Sequence, residues 1–391
     1  MAAMVKLPFL ACLFSITSTV VAAGDGLEIM GQAETVYDWQ AERCARWDIP
    51  DTPARAWRDD MGMVHLLAGS EETRISSGPS LSRLTRSCEV AHRGGNFDDP
   101  GAYDDRVWIA STYREAGRLI ALAHVEFHGH RRRDLCPAGD YMACWWNAIV
   151  ELVSEDGGRS FQNPAGASEL VASLPYRPGF DTGQREGYFS PSNILRRGDH
   201  LYALIFAEAY EAQKRGACLI RRPVGGGPDD WRAWDGTGFS ARFVDPFREA
   251  PPEPAVHVCA PVPGIVSTLS SVVRHRGSGT YVAVTPATLR DGDGPRVSGI
   301  WWTRSTDLLV WEKPELLLEV PLLWRRDCAA PAAHAYPSLL DESSHSDNFE
   351  DIGDDFWLYL VRMPLGEDCS VGPERDLIRF PVSLRLSGAA R

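Results

Sequence analysis

Apolar positions recur along this chain in short alternating or unbroken runs, rich in β-branched and aromatic residues and bounded by Gly, Asp, Asn and Pro. That pattern predicts strands. Long amphipathic helical spacing is nearly absent after residue 23. Five of the runs have the same character: Val64-His65-Leu66-Leu67-Ala68, Leu119-Ile120-Ala121-Leu122-Ala123, Leu201-Tyr202-Ala203-Leu204-Ile205, Tyr281-Val282-Ala283-Val284 and Trp357-Leu358-Tyr359-Leu360. The first three share a further feature, a glutamate seven positions after the first residue: Glu71, Glu126 and Glu208. Each run also has an upstream partner, respectively Pro53–Trp57, Asp105–Ile109, Pro191–Leu195, Ser270–Val273 and Pro337–Leu340. Most pairs are joined by a turn containing Gly or Asp, so they read as hairpins.

A hairpin written five times implies a unit that buries its faces only against copies of itself. The expected fold is therefore all-β: a five-bladed β-propeller forming a single large domain over 53–391, with an N-terminal segment, 24–52, packing on it. Gly225-Gly226-Gly227-Pro228 and Ala250-Pro251-Pro252-Glu253-Pro254 fall between strand-like runs and read as loops, not domain linkers. Two stretches mark outer strands. Ser154-Glu155-Asp156-Gly157-Gly158-Arg159-Ser160-Phe161 fits the Asp box of sialidase-like propellers, and Ser305-Thr306-Asp307-Leu308-Leu309-Val310-Trp311 resembles the Ser-x-Asp-Leu-x-x-Trp turn of sugar-processing propellers. Both locate turns and carry no chemistry.

Residues 1–23 combine Lys6, an apolar run from Leu7 to Val21 and the small residues Ala22-Ala23, which reads as a secretory signal peptide. Its removal takes Cys12 from the nine cysteines and leaves an even set with no Cys-x-x-Cys spacing. An even set in an exported chain predicts four disulfides, with Cys136 and Cys144 close enough to bridge one excursion. The expected location is secreted or periplasmic. A formal charge of −13 and the lack of a phosphate-binding glycine loop argue against nucleic acid, nucleotides and anionic membranes as partners. A monomer acting on a carbohydrate is expected.

His124-Val125-Glu126-Phe127-His128-Gly129-His130 carries the most concentrated chemistry. At a period of two, His124, Glu126, His128 and His130 project from one face of a strand, with Val125 and Phe127 on the other. Three readings compete: substrate binding with acid–base work, a plain solvated face, and a metal site. No cofactor is expected, although a structural calcium ion is compatible with such a site. Cleaving a glycosidic bond demands two carboxyl groups, one to protonate the leaving oxygen and one to activate water or attack the anomeric carbon.

Together with the Pro-Ser strand starts at Pro191-Ser192 and Pro337-Ser338 and the segment Tyr336-Pro337-Ser338-Leu339-Leu340-Asp341, these features make residues 53–385 resemble the five-bladed propeller glycosidases related to family-43 glycoside hydrolases. The resemblance implies an Asp base on the first blade, an Asp tuning the acid on the second and a Glu acid on the third. Its counterparts here are Asp51, offset in Asp51-Thr52-Pro53-Ala54-Arg55, then Asp105, then Glu208, with Glu126 as rival acid. Arg55, His124, His128, Tyr188, Asn193 and Tyr336 are the expected substrate-binding residues. A secreted glycoside hydrolase is the activity implied, with a non-catalytic glycan-binding propeller and a sialidase-like exoglycosidase as alternatives.

Overall fold

A computed structural model describes residues 25–95, 98–164, 168–179, 182–265 and 267–386. The leader assigned to residues 1–23 lies outside the described residues. Among those described, strands dominate, and helix is confined to one turn, Trp39–Glu42, and four 3-10 turns.

The strands form five antiparallel meanders in chain order. The first contains Arg55–Arg58, Val64–Leu67, Ser76–Ser80 and Arg83–Arg86. The second contains Arg106–Glu115, Arg118–His128, Trp145–Ser154 and Leu170–Ala172. Leu195–Arg197, His200–Ala207, Gly216–Pro223 and Arg232–Ala233 make the third. The fourth is built of Ser271–His275, Tyr281–Arg290, Arg296–Ser305 and Glu315–Glu319. Ala332–Leu340, Asp355–Pro364 and Asp376–Arg385 begin the fifth, whose last place is taken by the N-terminal strand Gly26–Ile29. The five hairpins expected from the alternation occupy the first two places of each meander, or their immediate approach.

The described residues 25–52 contribute two strands to the fifth meander. Gly26 pairs with Arg385 and Glu34 with Arg379, so both N-terminal strands extend the edge of Asp376–Arg385. A short strand, Glu186–Phe189, runs parallel to Trp145–Ser154 and antiparallel to His200–Ala207, stitching the second meander to the third.

Arg55 ties together four of the five meanders, the first, second, fourth and fifth. This side chain is 3% exposed and donates to the carbonyls of Ala54 (3.2 Å), Ala110 (2.8 Å) and Ser270 (2.5 Å) and to Ser338 Oγ (3.2 Å). Burial lowers its pKa to about 9. Asn193 bridges in the same way, donating to the Val272 carbonyl at 2.6 Å and accepting from its N–H at 2.8 Å. Arg55 thus spends its donors on three carbonyls and one hydroxyl, and Asn193 on the Val272 main chain.

Both outer turns form as the sequence suggests. Asp156 accepts from Ser154 Oγ (2.7 Å), the Ser160 N–H (2.9 Å) and Ser160 Oγ (2.7 Å), while Phe161 is buried behind it. Gly157 and Gly158, at φ 78° and 99°, supply the left-handed backbone the turn needs. Asp307 holds the Leu309 and Val310 N–H groups at 2.9 Å, with Trp311 buried.

Four disulfides join Cys44 to Cys88, Cys136 to Cys144, Cys218 to Cys259 and Cys328 to Cys369. The first spans 44 positions and ties the N-terminal segment to the first meander. Paired replacement of Cys44 and Cys88 by Ser is expected to cost about 4 kcal/mol in the chain-entropy picture. A denaturant titration of the folded oxidised protein measures it.

Candidate functional site

The site grows from the first three strands of the second meander. Val107, Ile109, Val125 and Phe127 turn into the core shared with the first meander, where Trp57 and Leu67 pack. Alternation therefore sends Arg106, Trp108, His124, Glu126 and His128 to the opposite face. Arg106 lies directly across from Glu126, Trp108 from His124, and the next strand places Asn147 across from Glu126 and Trp145 across from His128. The strand ends at His128. His130 falls in the following 3-10 turn, Gly129–Arg131, so it leaves the row the period of two gave it, a correction caused by the chain turning there.

Hydrogen bonds fix the imidazoles. Asn147 Nδ2 donates to the Glu186 carbonyl at 3.1 Å, which turns its Oδ1 toward His124 Nε2 at 2.7 Å. His124 must then carry its proton on Nε2, which also lies 3.5 Å from Glu126 Oε1. His128 Nε2 sits 3.0 Å from Glu126 Oε2, and its Nδ1 is buried without a partner. A buried N–H without an acceptor is costlier than a bare lone pair, so the His128 proton belongs on Nε2, donated to Glu126. Burial, followed by the Arg106 charge, pushes His128 down to about 4 and keeps it neutral. Burial likewise lowers His124, with Glu126 opposing.

Glu126 is pushed up to about 7 by burial, and the Asp51 charge adds to the rise, while His124, Arg106 and Arg185 oppose it. It is a carboxyl group poised to hold or release a proton near neutrality.

Asp51 reaches this space from the approach to the first meander. It accepts from Tyr336 Oη at 2.9 Å, from Trp108 Nε1 at 3.4 Å and from the Arg375 guanidinium. Tyr336 sits at a bulge between Ala335 and Ser338, where the register shifts, and its φ of 57° lies in the left-handed region. Such backbone is strained for a tyrosine and aims its side chain out of the regular ladder. Burial, reinforced by Asp51, raises the Tyr336 phenol well above 10. It acts here as a hydrogen-bond donor.

An aromatic wall flanks Glu126. Tyr141 lies 5.0 Å from the His128 ring and 5.3 Å from Trp145, Trp145 stacks on His128 at 5.7 Å, and Phe189 meets His124 edge-on at 5.5 Å. Tyr141 is 40% exposed and belongs to the excursion closed by the Cys136–Cys144 disulfide. Arg185 lies over Phe189 at 4.5 Å and donates twice to Glu208 Oε1, at 2.8 and 3.0 Å. Arg215 Nε takes the other oxygen of Glu208 at 2.8 Å.

The structure thus brings Asp51, Glu126, His124, His128 and Tyr336 together. Asp105 stands one layer behind, 1% exposed, accepting from the His128 N–H at 3.2 Å and from the Arg131 guanidinium. Glu208 is held between two guanidinium groups, so it orients Arg185 and is poorly placed to deliver a proton. Tyr188, expected to contact substrate, is fully buried in the core with its hydroxyl donated to Gln213 at 2.6 Å. Arg106, Trp108, Tyr141, Trp145, Asn147, Arg185 and Arg375 escaped the sequence reading. The alternation in Arg106-Val107-Trp108-Ile109 carried a signal for the first two, and nothing local marked Arg375. Among the described residues, no three His, Cys, Asp or Glu side chains are arranged to hold a metal ion.

No protein-family profile matches the sequence, and no curated protein matches it. Solved structures do. The chain superposes on a Cellvibrio cellulosa α-L-arabinanase with arabinohexaose at a TM-score of 0.46 and 11% identity, over 88% of this chain and 94% of that one. On the catalytic domain of a Coprinopsis cinerea GH62 α-L-arabinofuranosidase the values are 0.47 and 9%, over 94% and 99%. A putative hydrolase from Bacteroides ovatus gives 0.51 at 8% identity, over 93% of this chain and 97% of that one, so the two share one all-β fold along nearly their whole length.

Proposed function

We propose that the chain is a five-bladed β-propeller that hydrolyses glycosidic bonds, with Glu126 as general acid and Asp51 as its carboxylate partner. Support for five blades comes from the five meanders, the bonds by which Arg55 joins four of them and the closing strand Gly26–Ile29. The single observation that carries the chemistry is the buried carboxyl of Glu126, whose rise the Asp51 charge reinforces. Glu126 is buried and raised to about 7, whereas Asp51 faces a guanidinium and two neutral donors. Environments that separate two carboxyls assign the acid and its partner.

In this reading Glu126 passes its proton to the glycosidic oxygen as the bond to the anomeric carbon breaks. Asp51 either takes a proton from the water that attacks that carbon or attacks it directly, and water then completes hydrolysis. The aromatic wall of Tyr141 and Trp145 offers a face on which a sugar ring stacks. Asp105 is a positioning residue, holding the His128 main chain and Arg131. Tyr336 retains its proton, which counts against a tyrosine nucleophile of the sialidase kind. The four disulfides and the leader-like residues 1–23 favour an exported protein.

Release of reducing sugar from a broad glycan panel tests the activity, and no release from any member would remove it. Activity is also expected to fall as pH rises through about 7, because Glu126 must be protonated to act as acid. A pH–kcat/KM profile whose basic limb disappears with a substrate bearing a good leaving group checks this assignment.

A further inference from the structure

Arg106 is the guanidinium of this site with the weakest protein counter-ion. Its Nε is buried and makes no hydrogen bond among the described residues, and Glu71 Oε2, at 3.7 Å, lies beyond hydrogen-bond range. The other arginines at this end are closely held: Arg131 by Asp105, Arg185 and Arg215 both by Glu208, and Arg375 by Asp51. With Glu126 protonated, these five guanidinium groups face only four carboxylates: Asp51, Asp105, Glu208 and Glu71. The excess is one positive charge, in a chain whose formal charge is −13. Arg106 sits directly across from Glu126, is 33% exposed on its side chain, and bears on both Glu126 and His128 electrostatically.

A local cation excess next to the acid is unexpected for a site built for neutral sugar. We propose that the glycan is anionic and sets an oxyanion, a uronic acid carboxylate or a sulfate ester, against Arg106 beside the bond that Glu126 protonates. A planar guanidinium matches either oxyanion through paired hydrogen bonds, and the side chain of Arg106, 33% exposed and only loosely paired with Glu71, leaves part of that guanidinium open to a ligand. The negative charge also favours the protonated form of Glu126, the form needed as acid. Tyr141 and Trp145 supply the apolar face for the ring while Arg106 selects the substituent. This rests on the proposed site, and its test is a binding measurement that turnover does not decide.

Wild-type protein and the Glu126→Gln variant are applied to an immobilised array of matched pairs: oligouronates with their methyl esters, and sulfated oligosaccharides with their desulfated forms. Retention on the acidic members is expected to exceed that on the neutral ones by about tenfold or more, and to weaken as NaCl rises from about 50 to 500 mM. Preference within the first set identifies a carboxylate, and within the second a sulfate. Arg106→Gln is expected to lose the preference, with an unchanged melting temperature as the control for folding. Equal or better retention of the neutral partners, or retention of no acidic glycan, overturns the proposal. Neutral-glycan hydrolysis without acidic preference would leave the hydrolase standing. Acidic preference without hydrolysis would do the reverse.

Discussion

Glu126→Gln is expected to lower kcat/KM on natural glycan by roughly 10²- to 10⁴-fold, the usual worth of a positioned proton donor. The amide keeps the shape and can still accept from His128 Nε2, but it has no proton to give. Aryl glycosides whose leaving group departs without protonation should recover much of the loss, which a merely structural defect would not allow. Asp51→Asn is expected to fall by a similar factor for every leaving group, because activation of water or attack on carbon is needed regardless. Its rescue by azide or formate, read as a new product, identifies Asp51 as the carboxylate that engages water or carbon. Folding supplies a control for both. Glu126 has a folded pKa raised from an ordinary 4.5 to about 7, so the stability it allows is present in acid and lost as pH rises through that interval. A displacement of this size corresponds to about 3 kcal/mol above pH 7. Glu126→Gln should therefore melt higher than wild type at pH 8 and similarly at pH 4.

Arg222→Met is expected to destabilise the protein by about 3–5 kcal/mol, with little direct effect on the site. Arg222 is fully buried in the third meander, 3.0 Å from Glu115 Oε2 and 3.4 Å from Glu151 Oε2, both on the second. Glu115 also takes the Gly225 N–H at 2.6 Å and Glu151 the Trp231 indole at 2.9 Å. Removing the one cation leaves two carboxyl groups buried together. Burial already raises Glu151, and Arg222 is the main opposing influence. The loss should shrink in acid, where Glu151, its pKa raised by burial, becomes neutral. Adding Glu115→Gln and Glu151→Gln to Arg222→Met should restore part of the stability by removing the stranded charges, as urea titrations at pH 5 and pH 8 would measure.

How much of this was legible beforehand depended on distance along the chain. Hairpins such as Leu195–Arg197 with His200–Ala207 are local, so alternation and turn residues revealed them. The same period of two put His124, Glu126 and His128 on one face, and it failed at His130 because the strand stops where Gly129 begins a turn. The shared register of Glu71, Glu126 and Glu208 brought out three carboxylates near this end of the sheets. It could not say that Glu208 meets two arginines while Glu126 meets two imidazoles. Asp51 meets Tyr336 and Arg375 across 285 and 324 positions, contacts that no local pattern announces. Arg55 and Asn193 read as substrate contacts, but Arg55 meets three carbonyls and Ser338 Oγ and Asn193 the Val272 main chain, partners distant in sequence that side-chain patterning does not mark.

The pairing of Gly26–Ile29 with residues 382–385 also sets an order of events during synthesis. A ribosome completes Asp51 and Glu126 long before it reaches Tyr336 and Arg375, and the N-terminal strand waits still longer for its partner. A nascent chain therefore carries the acid without the groups that hold its partner, and its first strand remains an unpaired edge until the last one is made. Chaperones that cover strand edges would be needed most by this early segment, and the grip on Asp51 is complete only once Arg375 has been made.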